Sequence, residues 1–202
     1  MIKRLAEVTG RTVSRETFEK LEAYVGLLRD ENKRQNLVSA ATLDQAWDRH
    51  ILDSAQLVRF APRSAASWID LGSGAGLPGL VVACLVETPV TLVEPRRLRS
   101  EFLHKACESL NLSATVICAK AERVEGSFDV ITARAVASLT QLLKISAHLS
   151  TGKTTWALPK GRNASAELAE ARQSWQGDFQ LEPSVTDAES LIVVATGVRA
   201  KT

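Results

Sequence analysis

From Ser67 onward, apolar runs of four or five residues alternate with stretches whose apolar positions recur every three or four residues. The short runs read as buried strands and the spaced pattern as amphipathic helices. Strands are predicted at Trp68-Ile69-Asp70-Leu71, Val90-Thr91-Leu92-Val93, Ala114 to Cys118, Phe128 to Thr132 and Thr154 to Leu158. Between them fall helices along Leu80 to Leu85, along Phe102, Leu103, Ala106 and Leu110, and along Leu139, Leu142, Leu143 and Ile145 behind a Ser138–Gln141 cap. A further helix runs from Asn163 to about Trp175. Alternating strand and helix predicts an α/β fold with a mostly parallel sheet. The last two β-like runs, Phe179 to Val185 and Leu191 to Ala195, have no helix between them, so they are expected to pair antiparallel at one sheet edge.

The chain before Ser67 carries only the helical period. Ser14 is a good N-cap, with Phe18, Leu21, Val25 and Leu28 behind it at helical spacing. Thr42 and Gln45 fit a capping box, which places the next helix from about Leu43, with Trp47, Ile51, Leu52, Ala55, Leu57 and Val58 toward the core. Ala61-Pro62-Arg63-Ser64-Ala65-Ala66 reads as a linker. A helical extension over residues 1–62 and a Rossmann-like domain over 63–202 are therefore expected.

Composition narrows this picture without changing it. The 202 residues are 45% hydrophobic, enough for a full core, and the net charge of +2 permits a local basic face without demanding nucleic acid. Cys84, Cys107 and Cys118 are odd in number and far apart, and no C-x-x-C occurs. No disulfide framework and no metal site is suggested, which fits a reducing cytoplasm. No apolar run has membrane-spanning length, and no secretory h-region opens the chain.

The chemistry concentrates after the first strand, where Asp70-Leu71-Gly72-Ser73-Gly74-Ala75-Gly76-Leu77-Pro78-Gly79 joins strand to helix. Glycines here allow positive φ and close approach of a ligand to the backbone. From Gly74 the run fits G-x-G-x-x-G, the dinucleotide fingerprint. From Gly72 it is G-x-G-x-G preceded by the carboxylate of Asp70. That carboxylate would repel a pyrophosphate and suits a cation, which favours S-adenosylmethionine over NAD or FAD. Glu94, at the end of the second strand, follows Gly72 by 22 residues, the place of a ribose-binding acid. Glu122 falls at the end of the third strand, near the adenine edge of such a ligand.

His50 and Asp53 are three apart on a predicted helix, where a structural hydrogen bond between them competes with a place at the rim of a substrate site. A Ser-His-Asp hydrolase is disfavoured, since no G-x-S-x-G elbow occurs. Arg96, Arg97 and Arg99 crowd a helix start, as a solvated face or as phosphate contacts. His104 and Glu108 read as a surface pair.

Asn36-Leu37, Arg49-His50-Ile51-Leu52-Asp53-Ser54, the glycine run, Arg134-Ala135-Val136-Ala137-Ser138-Leu139 and Lys160-Gly161 together resemble the bacterial small-subunit ribosomal RNA (guanine-N7) methyltransferases. These are also called the glucose-inhibited division protein B or methyltransferase G family. The resemblance implies a class I S-adenosylmethionine-dependent methyltransferase fold with an N-terminal helical extension. It implies as substrate the guanine at position 527, in the 530 loop of 16S rRNA, in the small ribosomal subunit. Carried over, Gly72 and Leu77 line the cofactor pocket with Gly74 and Gly76 of the same loop, Ala121 and Glu122 flank adenine, and Arg134 closes the site beside the transferable methyl. Arg134, Lys160 and Arg49 become candidates for holding guanine or its phosphates, with His50, Arg96 and Arg97 on the RNA side. The sequence departs from the family pattern at Glu94 (often Asp), Lys120 (often Arg) and Pro159 (usually aliphatic). Guanine N7 carries a lone pair and no proton, so no general base and no metal is expected. A cytoplasmic monomer that binds 16S rRNA in the 30S subunit is the expected form. A small-metabolite methyltransferase and a non-catalytic ribosome-binding module are the alternatives.

Overall fold

A computed structural model of the protein describes residues 1–201. Its centre is a seven-stranded sheet of order β3-β2-β1-β4-β5-β7-β6. β1 (Trp68–Leu71), β2 (Val90–Val93), β3 (Ala114–Ile117), β4 (Val130–Ala133) and β5 (Thr155–Gly161) are parallel. β7 (Leu191–Ala200) pairs antiparallel with both β5 and β6 (Trp175–Pro183), as the missing helix between the last two runs predicts. The first four strands begin and end in register: Trp68 lies beside both Val90 and Val130, and Leu71 beside Val93 and Ala133. Their C-terminal tips therefore form one edge.

Alternation along the strands separates two cores, as a sheet covered on both faces requires. Trp68, Val90, Leu92 and Val130 face one hydrophobic cluster, shared with helices α1 (Ile2–Thr9), α2 (Arg15–Gln35), α5 (Gly79–Leu85) and α6 (Arg97–Ser109). Ile69, Leu71, Val93, Ile131 and Ala133 face the other, under α7 (Leu139–Ser146) and α8 (Ala164–Ser174). The N-terminal helices thus share a continuous core with the α/β region. Leu21, Val25 and Leu28 of α2 are buried at helical spacing, and each such burial is worth about 1.5–3 kcal/mol. Ser14 caps α2 by accepting from Thr17 N–H at 3.0 Å, and Asn36 ends it in the left-handed conformation.

The segment after α2 departs from expectation. Ser39, not Thr42, is the cap: its Oγ accepts from Thr42 N–H at 3.3 Å. The helix it starts, α3 (Ala40–Asp44), stops after five residues. The chain then winds through a π-helical turn (Trp47–Leu52), α4 (Asp53–Ala55) and a 3-10 turn (Gln56–Phe60). A π turn closes i→i+5 bonds and changes which side chains share a face. Ile51, Leu52, Ala55, Leu57 and Val58 are buried as predicted, and Trp47 stacks on Phe18 with ring centroids 5.3 Å apart. His104 and Glu108 are exposed and form no ion pair among the described residues; Glu101 on the same helix pairs with Arg97 at 3.1 Å. Among the described residues no helix is long and apolar enough to cross a membrane.

Candidate active site

Strand order reverses at β1, which has β2 and β3 on one side and β4 and β5 on the other. Ligands of open α/β sheets bind outside the strand tips at such a switch point. Four tips meet there: Leu71 leads into the glycine loop, Val93 into Glu94, Ala133 into Arg134, and β5 carries Lys160 near its end.

The loop is held from beneath by two carboxylates. Gly72, Gly74 and Gly76 all have positive φ, at 65°, 55° and 92°. Asp70 is fully buried: Oδ2 accepts from Gly79 N–H at 3.2 Å and Oδ1 from the Thr132 hydroxyl at 2.8 Å. It is turned into the fold and fastens the start of α5 to β1 and β4. Burial pushes its carboxyl up to about 6, against the pull of its hydrogen bonds and of Arg134. Glu94, also buried, accepts from Gly74 N–H at 2.9 Å and Arg96 N–H at 2.8 Å. Neither acid has an ion-pair partner among the described residues. The loop therefore sits in a negative field, with the Arg99 guanidinium near Gly74 at its rim. Tyr24, buried on α2, donates its hydroxyl to Ala75 C=O at 2.8 Å and ties the N-terminal helices to the loop. Leu77 is packed into the core, and Ala121 is buried at the start of a 3-10 turn that leaves Glu122 exposed.

The neighbouring half of the site is made by side chains. Arg134 Nη1 pairs with Asp53 Oδ2 at 3.2 Å, joining the start of α4 to the tip of β4. Asp53 Oδ1 accepts from Gln56 Nε2 at 3.0 Å and from the Thr186 hydroxyl at 2.9 Å. The His50–Asp53 hydrogen bond weighed from the sequence is not formed: both side chains line the same cavity, but Asp53 is engaged by Arg134, Gln56 and Thr186. His50 is buried, 5% exposed, and among the described residues neither ring nitrogen has a hydrogen-bond partner of good geometry. Burial, then the Arg134 guanidinium, lowers its pKa from 6.5 to about 4, so the ring is neutral. Arg49 pairs with Asp187 at 3.3 Å. Lys160 lies where β5 bulges against β7, between Pro159 and Gly161; its ammonium donates to Ala137 C=O at 2.6 Å and meets Glu167 at 3.1 Å.

Two cavities open on either side of the Arg134–Asp53 pair. One, of about 320 Å³, is lined by Lys160, Glu167 and Ser184; the other, of about 300 Å³, by Arg49, His50, Thr186 and Asp187. Beyond Arg134 the chain passes Ala135, at φ 55°, and rests Val136 over Gly72, where an added Cβ would lie 2.6 Å from Val136 Cγ2. The Arg134–Ala137 segment thus connects the cavities to the glycine loop. Arg96 and Arg97 lie outside this junction, exposed, on the loop's far flank. Tyr24, Gln56, Thr186 and Asp187 are contacts that no local pattern announced. Tyr24 looks like any core position of α2, and Thr186 and Asp187, which meet Asp53 and Arg49, lie in a polar loop more than 130 residues downstream.

The model of the family described as rRNA small subunit methyltransferase G matches residues 17–190. The chain belongs to that family. It is 48% identical over 198 residues to ribosomal RNA small subunit methyltransferase G of Zymomonas mobilis subsp. mobilis, covering 94% of this chain and 90% of that one. It is 50% identical to the protein of the same name from Erythrobacter litoralis, over 92% and 90%. The fold superposes on ribosomal protein L11 methylase from Lactobacillus delbrueckii subsp. bulgaricus with a TM-score of 0.58, at 16% identity over 75% of this chain and 78% of that one. It superposes on M. jannaschii TYW2, solved with AdoMet, with a TM-score of 0.57, at 11% identity over 81% and 78%. Those likenesses concern the fold, that of class I S-adenosylmethionine-dependent methyltransferases. As a methyltransferase G family member the chain is an rRNA methyltransferase, and its family and fold imply S-adenosylmethionine as donor. The residues present fit that donor. A loop of positive-φ glycines over two unpaired carboxylates favours a sulfonium and an ammonium and disfavours a pyrophosphate. Among the described residues no group of three or more His, Cys, Asp or Glu is placed to hold a metal ion.

Proposed function

We propose that this methyltransferase G family member methylates N7 of the guanine at position 527 of 16S rRNA, acting in the cytoplasm as a monomer on the small ribosomal subunit. S-adenosylmethionine supplies an electrophilic methyl group when bound. The chain's own part is to hold, orient and desolvate. Gly72, Gly74, Gly76 and Leu77 form the donor's loop, Asp70 and Glu94 set its field, and Ala121 and Glu122 flank the adenine end. Arg134 aligns the base at the strand tips, with Arg49, His50 and Lys160 around it.

The observation that carries this reading is the makeup of the junction. It holds a guanidinium, a neutral imidazole and a carboxylate already engaged by that guanidinium. A nucleophile that had to lose a proton would need a strong base there, and an imidazole held near pKa 4 beside a carboxylate already bound to a guanidinium is a poor one; guanine N7 needs none. Positioning alone can lower such a barrier by about 7–11 kcal/mol. On the outer rim, Arg96, Lys120 and Arg123 form no ion pair among the described residues, whereas Lys33, Arg34, Arg97 and Arg162 each meet an acid. Unpaired cations flanking the loop suit an RNA backbone.

The test is transfer of labelled methyl from S-adenosylmethionine to 30S particles from cells lacking the gene, followed by mapping of the modified nucleotide. The expected result is a single label at N7 of guanine 527. Label on another nucleotide, or on no RNA at all, would overturn the assignment.

A further inference from the structure

The cavity lined by Arg49, His50, Asp53, Arg134 and Thr186 has two features that the fold itself does not require. One is the imidazole of His50, 5% exposed, which beyond its own neighbour's backbone at Arg49 makes no hydrogen bond of good geometry among the described residues. An inward imidazole so poorly bonded destabilises the fold unless a ligand completes it. The other is the asymmetric use of Asp53. Its Oδ1 is held by Gln56 and Thr186, and Gln56 is itself anchored by Ser184 Oγ at 3.0 Å and Val185 N–H at 2.9 Å. Its Oδ2 meets only Arg134, and the same Arg134 Nη1 reaches Arg49 C=O at a long 3.4 Å. The carboxylate is rigid at one oxygen and exchangeable at the other.

We propose that Asp53 selects the base to be methylated, by accepting at its exchangeable Oδ2 the hydrogen bonds of the N1–H and the exocyclic amine of a guanine extruded into this cavity. The inference rests on the guanine-N7 reading above and adds the residue that enforces it. An ionised carboxylate only accepts. Guanine presents two adjacent donors on its Watson–Crick edge, whereas adenine presents the lone pair of N1 and is repelled. Enzymes that act on a base take it out of the stack and read that edge in a pocket. A neutral imidazole supplies one N–H, the complement of O6 beside N1. With Asp53 on the Watson–Crick edge, N7 lies on the opposite side of the purine. Arg134, released from Oδ2, is left between base and loop, which is where the Arg134–Val136 segment runs.

The experiment compares wild type and Asp53→Asn on 30S particles reconstituted with guanine or inosine at the target position. Inosine keeps N7, O6 and N1–H and lacks only the amine. For wild type, kcat/KM should be on the order of 10–100-fold higher for guanine than for inosine. In Asp53→Asn the guanine rate should fall on the order of 100-fold or more, and the guanine-to-inosine ratio should collapse to about two. Calorimetric affinity for S-adenosylmethionine should stay within about twofold of wild type, since Asp53 touches no loop residue. A ratio preserved in Asp53→Asn overturns the proposal. So does equal wild-type use of guanine and inosine, a comparison that needs no variant to fold. Absence of transfer to the guanine-bearing particle would instead sink the guanine-N7 reading, and this inference with it.

Discussion

The glycine loop and the Arg134–Asp53 junction lie side by side at one sheet edge, yet they are built by opposite means. The loop is a backbone device. Its shape comes from three positive-φ glycines, and its carboxylates at positions 70 and 94 are spent on backbone N–H groups and a hydroxyl within the fold. The junction is a side-chain device. Arg134, Asp53, Gln56 and Thr186 come from three distant segments, and His50 stands beside them with no hydrogen-bond partner of good geometry among the described residues. A donor common to many enzymes is met by a preset surface. A particular substrate is met by groups that can change partners.

That contrast says which changes should harm what. The largest effect is expected at the junction. Arg134→Ala should slow single-turnover methyl transfer about 100-fold and weaken RNA binding far less, since misplacing reacting groups costs rate. Equal wild-type and variant rates would remove Arg134 from the reaction centre. Next come the loop glycines. Gly76→Ala combines positive φ with a collision against Leu80 and should lower stability by about 1–3 kcal/mol in urea unfolding. A Cβ at Gly74 would meet only ordinary van der Waals contacts, Gly72 O at 3.6 Å and Arg99 Nη1 at 3.7 Å, so in Gly74→Ala only the φ of 55° should matter, at about 1 kcal/mol. If the two variants unfold alike, the loop's shape does not depend on the packing described.

A smaller effect, visible as a pH dependence, is expected from His50. The folded protein holds this ring below its ordinary pKa, so it binds fewer protons than the unfolded chain between about pH 4 and 6.5. The stability linked to the neutral ring is present above pH 6.5 and lost as pH falls toward 4. Asp70, pushed up to about 6, acts in the reverse sense: its contribution is present below 3.8 and lost as pH rises through 6. His50→Phe removes only the first of these, so it should gain stability relative to wild type between pH 7 and about pH 5. A constant difference in denaturant midpoints across that range would contradict the burial argument. Smallest is Arg97→Ala on the outer flank. Its pair with Glu101 is exposed, so stability should move by less than about 0.5 kcal/mol. If Arg97 contacts phosphate, the salt slope of RNA binding should fall by about one.

The same contrast explains what could be read from the sequence. Trp68–Leu71, the glycine spacing and Glu94 lie within 27 residues, so the strand, its turn and the acid beyond were visible as a local pattern. The antiparallel edge was visible too, because a missing helix is also a pattern. The π turn was not. Its residues keep an ordinary amphipathic period, so nothing local marks the change of winding. Within that winding Asp53 pairs with Arg134, 81 residues away, and not with His50. The capping signal at Thr42 was displaced by an equally good serine three residues earlier. Lys160 was legible as a strand-end cation, but the bulge that turns it toward Ala137 and Glu167 was not.

The hydroxyl that α2 lends to Ala75 has a consequence for anyone reading variants of this protein. The stiffness of the donor cradle is set partly from outside it, by a tyrosine 51 positions upstream. Tyr24→Phe is isosteric and leaves the core full, so whatever donor affinity it loses measures that bracing alone. Damage far up the chain can in this way masquerade as a defect in the cradle.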